Sequence, residues 1–229
     1  RQKRIYFLTG HGEHSIQSDY SKARGGLKDN LFLVGELDLL NGFGIPQDAA
    51  ALVIPGPNKD LDKREIKLLN DYLRKNGKLL ILLNPDPSES WKQLLSEWRI
   101  DVPTGTLIDP ASHVAPNLDH PLVPRNQNRF GFTEVYFAGA AGLIPQKGLP
   151  ESFKIQPLAW TSRKSWIEKD FTSGEEPQFD KLKDQQGPFA IGAMINKGGT
   201  SIVVFGDSDF ATDKHFYNGN NSDLFLTNV

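Results

Sequence analysis

The 229-residue chain carries 26 Lys and Arg against 28 Asp and Glu, for a net charge of −2, and contains no cysteine. Disulfides, thiolate metal centres and cysteine nucleophiles are therefore excluded. A charge balance spread along the chain offers no concentrated basic face for nucleic acid or an anionic membrane surface. No run approaches the ~18 consecutive apolar residues of a membrane-spanning helix, and no segment reads as a signal peptide.

The length suits a single α/β domain over residues 1–229. Ile5-Tyr6-Phe7-Leu8 reads as a short buried strand, and Thr9-Gly10-His11-Gly12-Glu13-His14 as a polar loop punctuated by glycine. Asp19 to Leu31 is expected to be helical with Tyr20, Ala23, Leu27 and Leu31 on one face, although each of Gly25 and Gly26 costs ~1 kcal/mol relative to alanine. Phe32 to Leu39 reads as a second strand, broken by Asn41-Gly42 and Gly44. Ala50 to Ile54 is a continuous apolar run, as a strand buried on both faces requires. After Pro55-Gly56-Pro57, Asp62-Lys63-Arg64-Glu65 has the form of a capping box. Ile66, Leu69 and Leu73 then recur at helical spacing, with Asn76-Gly77 as the C-cap. Lys78 to Leu83 is a further buried strand, which completes a right-handed βαβ unit. Asn84-Pro85-Asp86-Pro87 ends a central strand and could face the rim at the strands' carboxyl ends, but reads first as a turn fixed by two prolines. Ser88 is then placed to cap a short helix whose apolar face is Trp91, Leu94, Leu95 and Trp98.

Alternation of strand and helix predicts a three-layer, doubly wound, mostly parallel sheet. From about 101 to 186 the pattern changes to proline, glycine and isolated polar residues. This stretch reads as an inserted strand-and-loop region, with strands at 105–108, 134–137 and 153–158 and an exposed charged loop at 168–186. Phe189–Ile195 and Thr200–Phe205 are expected to form a hairpin about a four-residue turn, Asn196-Lys197-Gly198-Gly199. The chain starts without methionine and finishes in what reads as the first two turns of a helix, so a fragment of a longer, membrane-anchored protein is expected.

The candidate ligand-binding residues are His11 and Glu13 in the first loop and Asp207 and Asp209 after the last strand. Both loops follow strands that would end on one rim, where α/β proteins place their ligands. Imidazole and carboxylate groups can hold a divalent cation or act as acid and base. The competing explanation is local: glycines for the tight turn, and aspartates that cap the next turn. His113, His120 and His215 are without spaced partners and read as surface or structural residues, and the four tryptophans read as core. Ala138-Gly139-Ala140-Ala141-Gly142 reads as a flexible loop. No G-x-S-x-G, G-x-G-x-x-G or P-loop pattern is present and the His–Glu spacing matches no metal signature such as H-E-x-x-H, so no triad, metal or cofactor is expected.

Tyr6-Phe7-Leu8-Thr9-Gly10-His11-Gly12-Glu13 resembles the opening of the soluble domain of GldG-like proteins, auxiliary components of ABC-type transport systems first associated with gliding motility. Ala51–Pro57, Gly77–Pro85, Pro157–Ser162 with Ser165-Trp166, and Val203–Phe210 resemble the same domain in the same order. The resemblance implies a fold similar to class I glutamine amidotransferases and flavodoxin-like proteins. That fold is shared with a domain of intraflagellar-transport proteins and a non-catalytic oligosaccharyltransferase subunit. It implies no catalytic residues, permease and ATPase subunits as partners, and a membrane-anchored protein whose soluble domain is extracytoplasmic (periplasmic); a glycan or peptide is the candidate ligand, and the charge balance argues against nucleic acid. The leading expectation is thus a non-enzymatic binding domain. The alternative is a metal-assisted hydrolase of a saccharide or peptide using His11, Glu13, Asp207 and Asp209.

Overall fold

The computed structural model describes residues 3–41, 44–172, 174 and 176–229. Of the features expected above, Gly42, Ser173 and Glu175 lie outside the described residues, as do Arg1 and Gln2. The first half holds β1 (Arg4–Thr9), α1 (Ser21–Asp29), β2 (Leu33–Asp38), β3 (Ala49–Pro55), α2 (Lys63–Arg74), β4 (Lys78–Leu82) and α3 (Glu89–Glu97). Short strands follow: β5 (Ile100–Asp101), β6 (Thr106–Ile108), β7 (His113–Val114), β8 (Asn117–Pro124), β9 (Glu134–Tyr136) and β10 (Ile144–Pro145). The chain continues through β11 (Phe153–Trp160), β12 (Trp166–Glu168), β13 (Gln185–Gln186), β14 (Ala190–Lys197), β15 (Thr200–Phe205) and α4 (Asn221–Asn228).

Seven strands form a central sheet in the order β11-β14-β15-β4-β3-β1-β2. The five strands from β15 to β2 pair in parallel, and β14 runs antiparallel to both of its neighbours. The protein is a mixed α/β structure with a large, mostly parallel sheet. Side chains along a strand alternate between the two faces, and here both faces are apolar. Ile5, Phe7, Val53, Leu82 and Phe205 pack with Tyr20 and Leu27 on the side of α1 and with Leu224 and Phe225 of α4. Tyr6, Leu8, Leu52, Ile54, Ile81 and Val204 pack with Leu69 and Leu73 of α2 and with Trp91, Leu94 and Leu95 of α3. This two-sided burial explains why the strands read as unbroken apolar runs.

Several local expectations change. The β14–β15 turn holds two residues, Gly198 and Gly199, because Lys197 pairs with Thr200 and Asn196 with Ser201. The left-handed residue after α2 is Asn76, at φ 64°. The strand expected at 153–158 within the insertion is instead part of β11, the outer strand of the central sheet against β14. Pro157 has no N–H to give to a ladder and is tolerated because β11 is an edge strand. Elsewhere in the 101–186 stretch, β6 pairs with β12 and β12 with β13, while β7, β8 and β9 form a separate ladder. Rather than a free loop, Ala140 and Ala141 are fully buried. Ala141 donates its N–H to Gly206 O at 2.8 Å. A Cβ at Gly206 would stand 2.1 Å from Ala141 O, so only glycine fits.

At the amino ends of the parallel strands, Lys3, Ile5, Lys78, Ser201 and Val229 line one cleft. Among the described residues no helix is long and apolar enough to cross a membrane.

Candidate functional site

The loops after β1, β3, β4 and β15 share the rim at the carboxyl ends of parallel strands. The strand order reverses between β1 and β3, the position at which sheets of this kind open a ligand crevice. Here the loops are laced to one another. His14 N–H donates to Pro55 O at 2.8 Å, Asn58 N–H to His11 O at 2.9 Å, and Leu83 N–H to Phe205 O at 2.8 Å. Gly56, at φ 75°, lies under two side chains from other loops: a Cβ there would stand 2.6 Å from Ser208 Oγ and 3.0 Å from His14 Cδ2.

His11 and Glu13 turn inward. The His11 ring is 5% exposed, with Nε2 3.0 Å from Glu65 Oε2 and Nδ1 3.4 Å from Glu13 Oε1. Glu13 Oε2 accepts the backbone N–H of His11 at 2.6 Å. The ring stands edge-on to Trp91, with centroids 6.3 Å apart. Glu65 also closes the capping box of α2, accepting Asp62 N–H at 2.9 Å while Asp62 accepts Glu65 N–H at 2.8 Å. One carboxylate thus ties the β1 loop to the start of α2.

Asp207 is fully buried, and its two oxygens accept Ala138 N–H and Asp209 N–H, each at 2.7 Å. The second bond is the Asx turn that opens the following 3₁₀ turn. Burial pushes its carboxyl up to about 8, against the lowering effect of these bonds. Asp209 faces outward. His14 Nε2 is 3.1 Å from Asp209 Oδ1 and 3.1 Å from Ser208 Oγ. The hydrogen bond from His14 is the main reason the Asp209 carboxyl lies below its usual range. Ser208 donates to Asn84 Oδ1 at 2.6 Å, and Tyr20 OH donates to Ser208 O.

Ser208, His14 and an aspartate do not make a catalytic triad. In that arrangement the two ring nitrogens serve nucleophile and acid separately; here Nε2 faces both. Asp19 is 3.9 Å from Nδ1, and its Oδ2 accepts Ser15 N–H at 2.8 Å. Ser208 is fully buried with its hydroxyl proton directed to Asn84. The set cross-links three rim loops.

A third cluster comes from the 101–186 stretch. Tyr136 OH is 2.9 Å from His120 Nδ1, and its ring lies 4.9 Å from that of His215. Burial, with help from Asp207, raises the Tyr136 phenol, and burial lowers His215. The exposed face of the rim therefore presents Asp209 and His14, with Tyr136, His120 and His215 nearby. These groups can accept and donate hydrogen bonds to a hydroxylated or cationic partner. Among the described residues no three His, Asp or Glu side chains are arranged to hold a metal ion.

Of the four residues singled out from sequence, His11 and Glu13 contact each other, with His11 also reaching Glu65, and Asp207 and Asp209 are close in sequence but face opposite ways. His14 is the residue that joins the two loops. The roles of Ser208, His120, Tyr136 and His215 were missed, whereas Asn84 belongs to the turn that could also face the rim and does reach Ser208. Asn84 had a signal, because it ends the strand beside β15. The histidine–tyrosine contacts had none, since they join segments about 16 and 80 residues apart.

Residues 2–228 match the family described as an ABC-type uncharacterized transport system. The chain belongs to that family. No curated protein matches this member by sequence. Among solved structures, the mmIFT52 N-terminal domain superposes with a TM-score of 0.71 at 17% identity, covering 97% of this chain and 94% of that one. A cytoplasmic protein of Salmonella typhimurium LT2 has a TM-score of 0.58 at 12% identity, covering 99% and 97%. An exo-beta-1,4-mannosidase from Opitutaceae bacterium strain TAV5 has a TM-score of 0.53 at 11% identity, over 98% of this chain but 35% of the mannosidase. At these identities the likeness is one of fold. Family membership associates this ABC-type chain with a transport system as an auxiliary component.

Proposed function

We propose that this chain is a non-catalytic domain of a membrane-anchored auxiliary subunit, extracytoplasmic in location, that binds the permease and ATPase subunits of an ABC-type transporter or a glycan or peptide ligand. The observation that carries the reading is the family match over residues 2–228. The chemistry of the rim supports it. Most buried polar groups there hold loops together, and among the described residues no serine or threonine stands on a strained turn; Asp86, which has a positive φ, accepts Gly105 N–H at 2.6 Å. The only non-glycine residues with positive φ among the described residues are Leu31, Asn76, Asp86 and Arg99. The sheet order is compatible with a glutamine-amidotransferase-like framework without its cysteine, in one domain that carries inserted strands. Asp209, His14 and His120 supply the exposed polar face for a partner.

The test is affinity purification of the full-length tagged protein from detergent-solubilised membranes. Permease and ATPase subunits are expected to co-purify, and Asp209→Lys to reduce their recovery while lowering the melting temperature by no more than about 2 °C. An ester, amide or glycoside hydrolysis by the purified protein that Asp209→Asn abolishes, with the fold intact, would overturn the reading.

A further inference from the structure

A groove of about 770 Å³ opens beside β11, within the ~300–1,000 Å³ range of small-molecule sites. Trp160 is the last residue of β11, and β11 runs in the same direction as β15, so the groove opens at the same end of the sheet as the rim. Its surface is mostly apolar, with Trp160, Phe189 and Ile144 in the wall, and two of its lining residues, Pro157 and Trp160, come from the stretch Pro157–Ser162 singled out from sequence. The expectation that every tryptophan is core fails here: Trp160 is half-buried.

Two properties set this groove apart. First, its walls are fixed. Phe189 N–H donates to Thr161 Oγ1 and Thr161 N–H to Phe189 O, both at 2.9 Å. Gly187 N–H donates to Ser165 O and Leu143 N–H to Ala190 O, both at 2.8 Å. A pre-formed wall loses little freedom on binding. Second, its polar side chains are unused apart from Gln186, whose amide donates to Arg163 O at 3.1 Å and Ser165 O at 2.8 Å. Arg129 is the single charged residue lining the groove. Among the described residues its guanidinium has no ion-pair or hydrogen-bond partner, and neither do Trp160 Nε1 or the side-chain amides of Gln156 and Gln185.

One unpaired guanidinium, no carboxylate in the wall and a largely apolar surface together select an anion with an apolar body. We propose that the groove binds an amphipathic monocarboxylate, with an acyl or aryl chain lying on Trp160 and Phe189 and its carboxylate paired with Arg129. A planar guanidinium suits this group because it can engage both carboxylate oxygens. The inference goes beyond transporter association and does not rest on it.

The test is titration of the ¹⁵N-labelled protein with octanoate and with 1-octanol, following the indole N–H resonance assigned to Trp160 by its loss in Trp160→Phe. Octanoate is expected to shift that resonance saturably. Arg129→Gln should weaken octanoate by about tenfold, the scale of one charge-assisted hydrogen bond, and leave 1-octanol unchanged. Melting temperatures within about 2 °C of wild type would show that both variants fold, as expected at exposed or half-exposed positions. Absence of saturable binding, or octanoate affinity unaffected by Arg129→Gln, overturns the proposal. So does tighter binding of an apolar hexapeptide with both ends blocked, which would assign the groove to polypeptide. Transporter co-purification is unaffected by any of these results.

Discussion

The rim and the β11 groove lie at the same end of one sheet and treat their polar groups in opposite ways. At the rim, Asp207, Ser208 and Glu65 are at most 1% exposed and bonded to backbone N–H groups or to the side chains of Asn84 and His11. In the groove, Arg129, Gln156 and the indole N–H of Trp160 line an apolar surface with no partner among the described residues. A buried polar group left unpaired costs ~1–3 kcal/mol, whereas an exposed one is served by water. The rim residues therefore contribute to stability, and the groove residues are free to contribute to recognition. A cluster of acids and histidines at strand ends is not by itself evidence of chemistry.

The sharpest way to break this contrast is Asp207→Ala, which strands the N–H groups of Ala138 and Asp209 in the interior. We expect a loss of about 3 kcal/mol, and a fall of roughly 6–12 °C in melting temperature for a chain of this size, read by urea and thermal unfolding. Glu65→Ala should cost about 2 kcal/mol, since it removes both the capping-box acceptor and the partner of His11. Glu65→Gln should cost less, because its amide oxygen can still accept Asp62 N–H.

A subtler probe is pH. The folded state holds the Asp207 proton up to about 8, while an unfolded aspartate releases it near ~3.9. Between those values the folded state binds more protons, so this group's contribution is greatest below about pH 4 and declines until about pH 8. In Asp207→Asn that decline should disappear from the stability–pH curve. Asp209 acts with the opposite sign. Its lowered carboxyl contributes above the ordinary aspartate range and loses that contribution as pH falls through the folded value. With this side chain 45% exposed, a double-mutant cycle with His14 should give only about 0.5 kcal/mol. Smallest of all, Arg129→Gln should leave stability within about 0.5 kcal/mol of wild type. A larger loss would mean that the guanidinium is structural after all.

The sheet was largely legible from sequence because its signals are local. The run Ala50–Ile54, the capping box Asp62/Glu65 and the Leu69/Leu73 spacing each act within one element, and each appears where expected. The assignment of β11 was not legible. Its apolar residues are interrupted by Pro157, and its place in the sheet is set by pairing with β14 some 40 residues later. The rim was half legible. Glycines and polar residues after β1 and β15 marked the loops, but which side chain crosses between them depends on orientation. His14, three residues after His11, makes the crossing because His11 is already enclosed by Glu13 and Glu65. Glu65, called by its spacing only as a cap, gave no hint of the imidazole it also serves.

The cleft shared by Lys3 and Val229 has a consequence for orientation. Both described ends of the chain emerge at the amino ends of the strands, one sheet length away from His14, Asp209 and Trp160. Anything joined to either end, whether a tether, a fusion partner or a solid support, pulls from the pole opposite the rim and the groove. Immobilisation through the termini would present both surfaces outward together, like the open face of a lamp fixed by its base.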